Sequence, residues 1–311
     1  TSRGQRYLVA TFIFHPDYFA DIGNHVLQAE KFHKTHKCLL KTGIPESAFA
    51  QPDEAPDKDI LLVHTPEYLA DMRSGQHTAR TLPSELPLSP EIVRWCLLSV
   101  GGTTLAAREA MAHGFALNLS GGFHHAFPDC AEGFCYMNDL AVAVRTLQNE
   151  GAVSRAAIID CDLHQGNGTA SIFRKDESVF TFSIHQENIY PPKKRSSLDI
   201  GLADLTDDAA YMKKIQDNIP QILDKHRPEI VIYQAGADPY MDDQLGTLKL
   251  SKKGLRQRDD LILAECRKRA IPVAGTLGGG YARNSEDTVD IHVQTAFAFW
   301  EALKRAGEIA E

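Results

Sequence analysis

One pattern restricts the fold of this chain more than any other: short, continuous apolar runs alternate with helical stretches along its whole length. YLVATFIF (7–14), FALNLS (115–120), AAIID (156–160), SVFTFSI (178–184), EIVIYQA (229–235) and IPVAGTL (271–277) read as strands. They are apolar residue after residue rather than alternately, as strands covered on both faces are. Between them, SPEIVRWCLLSVGGTTLAAREAMAHG (89–114) opens on Ser89 as a cap with Pro90 in the first turn and closes on Gly114. NDLAVAVRTLQNEG (138–151) has the same layout, and SKKGLRQRDDLILAECRKRA (251–270) is amphipathic. Strand and helix in this repeated order predict an α/β fold. The expectation is a single three-layer domain over residues 1–311, with an open, mostly parallel sheet and helices on both faces. PPKKRSSLDIG (191–201) reads as an exposed loop, with Lys193, Lys194 and Arg195 solvated.

The 311 residues carry a formal charge of −8, which opposes unaided binding to nucleic acid. No apolar run approaches the roughly 20 residues of a membrane span. TSRGQRYLVATFIF has no signal-peptide layout and no initial Met, so a trimmed start without a leader is expected. The six cysteines form no C-x-x-C pair and are expected to stay reduced, in a cytoplasmic setting.

In open parallel sheets, ligands bind beyond the C-terminal ends of the strands. The polar motifs of this chain stand there: FALNLS runs into GGFHH, AAIID into CDLHQGNG, EIVIYQA into GADPYMDD, and IPVAGTL into GGGY. In DCDLHQGNG, Asp160, Asp162 and His164 are spaced by two and share one side of an extended chain. An Asp and a His so placed supply half of a divalent-metal site, and Asp238, directly after the buried run EIVIYQA, is the candidate third ligand. Three protein ligands leave one position open, as catalytic zinc sites do. The adjacent His124 and His125 should diverge and so serve as two acid–base groups rather than as one chelate. Asp160 could orient one imidazole and Asn167 the other. Behind three glycines, Tyr281 could aim its hydroxyl at the oxygen of a polarised carbonyl.

GGFHHAFPDCAEGFCYMND, IIDCDLHQGNG, YQAGADPYMDDQLG and GGGY, in this order, resemble the zinc-dependent histone deacetylase superfamily over about residues 7–305. HQGNG, GFCY and LGTLKLSKKGLRQRD resemble its class IV branch and bacterial relatives most. The resemblance implies the arginase/deacetylase fold and zinc on Asp162, His164 and Asp238. It pairs His124 with Asp160 and His125 with Asn167. Gly133 and Phe134 would line an acyl-lysine tunnel, with Tyr190 on the opposite wall. A potassium ion would lie beneath the zinc on Asp160, Asp162, His164, Ser183 and Ile184. Class I members have Asp where Asn167 stands, so the charge around His125 differs from theirs.

The chemistry implied is metal-assisted amide hydrolysis. His125 takes a proton from water, Tyr281 and the metal stabilise the oxyanion, and a protonated histidine delivers a proton to the leaving amine. The expected substrate is an acylated lysine in a protein, with acetylated polyamines or other small acylated amines as the alternative. An arginase-like ureohydrolase with two manganese ions would need bridging carboxylates where Gly166 and Gly236 stand. A catalytically dead binding module is opposed by the intact residue set. Loops 15–35, 76–90 and 186–205 are expected to shape the tunnel.

Overall fold

The computed structural model describes residues 11–309. Its strands are β1 (Phe12–Ile13), β2 (Phe49–Ala50), β3 (Phe115–Asn118), β4 (Ala156–Asp160), β5 (Val179–Gln186), β6 (Leu198–Leu202), β7 (Ile230–Gln234) and β8 (Val273–Thr276). They form one eight-stranded sheet in the order β2-β1-β3-β8-β7-β4-β5-β6. Every pairing is parallel. The helices are α1 (Lys31–Lys41), α2 (Asp57–Ile60), α3 (Pro66–Ser74), α4 (Pro90–His113), α5 (Asp139–Asn149), α6 (Asn167–Phe173), α7 (Asp208–His226), α8 (Lys252–Lys268) and α9 (Ser285–Ile309).

Alternate residues of each central strand feed two separate cores. Ala156, Ile158, Ile230 and Ile232 pack with Ala106, Leu140 and Val144 of α4 and α5. Ala157, Ile159, Val231 and Tyr233 pack with Ile215, Leu255 and Phe299 of α7, α8 and α9. Burial on both faces is why these strands lack polar alternation. The predicted cap of α4 forms, since Ser89 accepts the Ile92 N–H at 3.3 Å; Asn138 accepts that of Ala141 and Ser251 that of Gly254, each at 3.0 Å.

Two expectations need correction. The loop predicted over 191–201 ends in β6, an edge strand whose residues alternate between exposed and covered. Only one neighbour, β5, pairs with it, so it carries no continuous apolar run. The strand predicted over 7–14 is seen as Phe12–Ile13, residues 7–10 lying outside the described residues. Among the described residues, no helix is long and apolar enough to cross a membrane.

Candidate active site

Four neighbouring strands deliver their C-terminal ends to one cleft. His124 and His125 follow β3, Asp160 ends β4 with Asp162 and His164 just beyond, Asp238 follows β7, and Tyr281 follows β8. The chain does not stay extended through His164, as the spacing argument assumed. The carboxylates themselves wind it into a turn. Asp160 Oδ1 accepts the Asp162 N–H at 3.1 Å, Asp162 Oδ1 that of His164 at 3.0 Å, and Asp238 Oδ1 that of Leu163 at 2.9 Å.

The adjacent imidazoles converge instead of diverging. Their ring centroids are 4.1 Å apart and their Nε2 atoms 3.1 Å apart. They stand on a turn, not a strand, and Asp139 at the start of α5 draws that turn inward by accepting the N–H groups of Gly122 and Phe123 at 3.0 and 2.8 Å. His124 Nδ1 lies 2.6 Å from Asp160 Oδ2, and His125 Nδ1 lies 2.8 Å from Asn167 Oδ1. Both partners are oxygens, so each Nδ1 carries a proton and both Nε2 atoms face the cleft. Two Nε2 atoms 3.1 Å apart share one proton.

Electrostatics assigns that proton. Burial opposes a charge on His124, but Asp160 and Asp162 outweigh it and raise the imidazole to about 9. Burial, reinforced by the charge on His124, holds His125 well below the usual range. One histidine is therefore cationic and the other neutral, with a bare Nε2.

Below them, one ligand atom from each of Asp162, His164 and Asp238 lies within 4.8 Å of the other two. All three residues are buried. Asp238 Oδ2 makes no hydrogen bond and has His164 Nδ1 at 3.4 Å, which leaves a buried carboxylate oxygen undersatisfied. Burial and the neighbouring Asp162 push Asp238 up to about 7. His164 Nδ1 sits 3.3 Å from Asp162 and 3.4 Å from Asp238, and the two carboxylates overcome its burial to raise it to about 10. Two buried carboxylates and one buried imidazole make an O, N, O donor set that fits a divalent cation. Gln234 Nε2 and the Gly279 N–H hold the other oxygen of Asp162 at 2.7 and 3.1 Å.

Comparisons with known proteins identify relatives of this chain. A histone deacetylase domain matches residues 25–296. The chain is 41% identical to an uncharacterized protein of Picosynechococcus sp. over 90% of this chain and 95% of that one. It is 32% identical to histone deacetylase 2 of Arabidopsis thaliana, covering 84% of this chain and 70% of the other. The chain belongs to the histone deacetylase family. Solved structures share its fold at 22% identity. An HDAC homolog complexed with SAHA aligns with a TM-score of 0.80 over 95% of this chain and 88% of that one. The acetylpolyamine aminohydrolase from Burkholderia pseudomallei gives 0.75 over 94% and 98%.

In this histone deacetylase family member, the cleft opens through a mouth of about 230 Å³. Gly133, Phe134 and Tyr190 line it, together with Glu85, Ile189 and Leu245. The Tyr190 ring meets His125 edge-on at 5.4 Å, and Phe134 meets Tyr281 at 5.9 Å. Glu85 and Ile189 fall in two of the loops expected to shape the tunnel, whereas Leu245 comes from a segment outside them. Inside, about 30 Å³ remains against both histidines, Asp162, His164 and Tyr281, room for a water. Larger clefts, about 440 Å³ around Gln28, Lys34 and Arg283 and about 520 Å³ around Arg174 and Arg195, have no such acid–base set. Of the potassium candidates, Asp160 ends β4 and pairs in register with Ser183 inside β5, and the Ser183 hydroxyl bonds His185 at 2.9 Å.

Two buried cations escaped the sequence reading. Lys31 Nζ donates to the carbonyl of Gly278 at 2.9 Å and lies 5.2 Å from the Tyr281 ring centroid, and burial pushes it down to about 8. Arg258 donates to the carbonyls of Cys161 at 3.2 Å and Gly236 at 2.8 Å, tying together the two loops that carry Asp162 and Asp238. Both sit in Lys- and Arg-rich helices, where such residues normally face water, and no local signal separates these two from the rest.

Proposed function

We propose that this chain is a zinc-dependent amidohydrolase that removes acetyl or longer acyl groups from acylated lysine, acting through one catalytic domain (residues 1–311). The observation that carries this reading is the polarised pair of histidines above a three-ligand metal cluster. The neutral His125 offers a bare Nε2, the cationic His124 offers an N–H, and both face the same small space. Asp162, His164 and Asp238 would hold the zinc, which when bound lowers the pKa of water and polarises a carbonyl.

The remaining work belongs to this chain's own side chains. His125 Nε2 takes the proton of the attacking water, and Asn167 keeps its Nδ1–H in place. Burial, with Asp238 and Asp162 close by, holds the Tyr281 phenol well above its usual range. It therefore stays a donor to the acyl oxygen as negative charge develops there. His124, kept cationic by Asp160, lies in proton-transfer range of His125; the pair gives one proton to the leaving amine, and the proton that His125 took from water replaces it. Gly133, Phe134 and Tyr190 would enclose the acyl-lysine stem. Potassium would use Asp160, Asp162, His164, Ser183 and Ile184.

The two-manganese alternative meets a steric objection. A Cβ at Gly166 would stand 2.3 Å from Asp160 Oδ2, and one at Gly236 would stand 2.6 Å from Asp162 Oδ2. No carboxylate could be carried from either position without moving the site. HQGNG and GFCY support a place near the class IV branch. The six free cysteines support a cytoplasmic setting. The deciding experiment compares turnover of acyl-lysine peptides of increasing chain length with that of N-acetylpolyamines, using zinc-loaded protein. Preferred release of carboxylate from the peptides is expected. Preferred turnover of the polyamines would transfer the reading to small amines, and hydrolysis of neither would refute it.

A further inference from the structure

We propose that Glu132 is a positioning residue that clamps the support of His125 and the tunnel wall to one another. A single oxygen, Glu132 Oε1, accepts from Asn167 Nδ2 at 2.8 Å and from the Tyr190 hydroxyl at 3.0 Å. The kinetic part of this inference rests on the amide-hydrolysis reading. Its structural part does not.

The amide of Asn167 has two unlike ends. Only its oxygen can accept from His125 Nδ1–H, and only its NH₂ can donate to a carboxylate. Glu132, an acceptor, therefore fixes which end faces His125. The Gly168 N–H, 3.0 Å from the same Asn167 Oδ1, acts in the same sense. With the oxygen inward, the imidazole must carry its proton on Nδ1 and present a bare Nε2 to the cleft. With the amide reversed, its NH₂ would face Nδ1, the proton would move to Nε2, and the base would be lost from the cleft.

The second bond acts on the wall. Tyr190 is 43% exposed, and among the described residues Glu132 is what its hydroxyl bonds. Its ring contacts both His125 and His164 edge-on, at 5.4 and 6.2 Å. Glu132 is itself anchored, since its N–H and C=O pair with the C=O and N–H of Cys135 at 3.1 and 2.9 Å. The next residue, Gly133, passes so close that a Cβ there would lie 2.7 Å from both His125 Cδ2 and Tyr190 Oη. The turn thus presses against the base and the wall at once, and the Glu132 side chain joins them.

The test combines kinetics with imidazole nitrogen spectra of metal-loaded protein. Glu132→Ala removes the acceptor, and should lower kcat about tenfold, the usual scale for an outer partner of a site histidine, and raise KM as the wall loosens. Glu132→Met serves the same purpose if alanine unsettles the turn. Glu132→Gln keeps an oxygen that can accept both bonds and should restore most of both parameters. Long-range ¹H–¹⁵N spectra should show His125 protonated on Nδ1 in the wild type and Glu132→Gln, with Nε2–H appearing in Glu132→Ala. Wild-type kcat in a folded, metal-loaded Glu132→Ala, or Glu132→Gln as impaired as Glu132→Ala, would overturn the clamp. So would Nε2–H on His125 in the wild type. If the wild type hydrolyses no acyl substrate, the functional reading fails, and the spectra still decide the clamp.

Discussion

His64 gives this fold a calculable weakness to acid. It is buried, its Nδ1–H donates to the Phe127 carbonyl at 3.0 Å, and its Nε2 accepts the Asn138 N–H at 3.0 Å. It therefore ties α2 and the turn after it to both ends of the segment following the histidine pair. Asn138 in turn caps α5 and donates to the carbonyl of Ala126 at 3.2 Å. Burial lowers His64 to about 4, from a model-peptide value of 6.5. The sign follows from that direction. The unfolded chain takes up the proton first as pH falls, so the stability is fully present above the unfolded pKa and is lost on the way down to the folded value. Between about pH 7.5 and 5 the loss attributable to His64 is about 2 kcal/mol, and its limit at lower pH is about 3 kcal/mol.

Denaturant unfolding of the wild type and His64→Gln across this range isolates the contribution. Other buried histidines titrate equally in both proteins and cancel in the difference. The glutamine can still accept the Asn138 N–H but cannot take a proton. The stability advantage of the wild type should shrink by about 2 kcal/mol on going to about pH 5. A difference that stays constant with pH, or grows as pH falls, would refute the reasoning.

Three further outcomes are expected. Tyr281→Phe should fold and retain metal while kcat falls about 10²–10³-fold, the cost of one oxyanion donor, and steady-state kinetics read this directly. Purified protein should carry one equivalent of zinc by metal analysis, and Asp238→Asn, which weakens a charged ligand, should lower that content. His125→Ala should abolish turnover with zinc still bound, and Asn167→Asp should shift the pH profile without removing activity. Metal lost from His125→Ala would show that the histidine pair had been misassigned.

The sequence alone was enough to locate six strands and the four loops that carry the site. Continuous apolar runs report burial on both faces, and in a parallel sheet the ligand-binding ends are fixed by chain direction. Two members of the candidate metal-binding triad were also legible, because Asp162 and His164 stand two apart along the chain. Three things were decided only by the tertiary structure. The edge strand β6 escaped detection because a strand paired on one side can keep polar residues. The histidine pair converges because Asp139, 14 residues past His125, draws its turn inward. Lys31, Arg258 and Glu132 acquire their places from partners as far as 249 residues away in sequence, at Gly280. A charged side chain in an amphipathic helix or a turn looks solvated from its neighbours in sequence. Only packing determines which of them lose water and must find a carbonyl, a carboxylate or an amide instead.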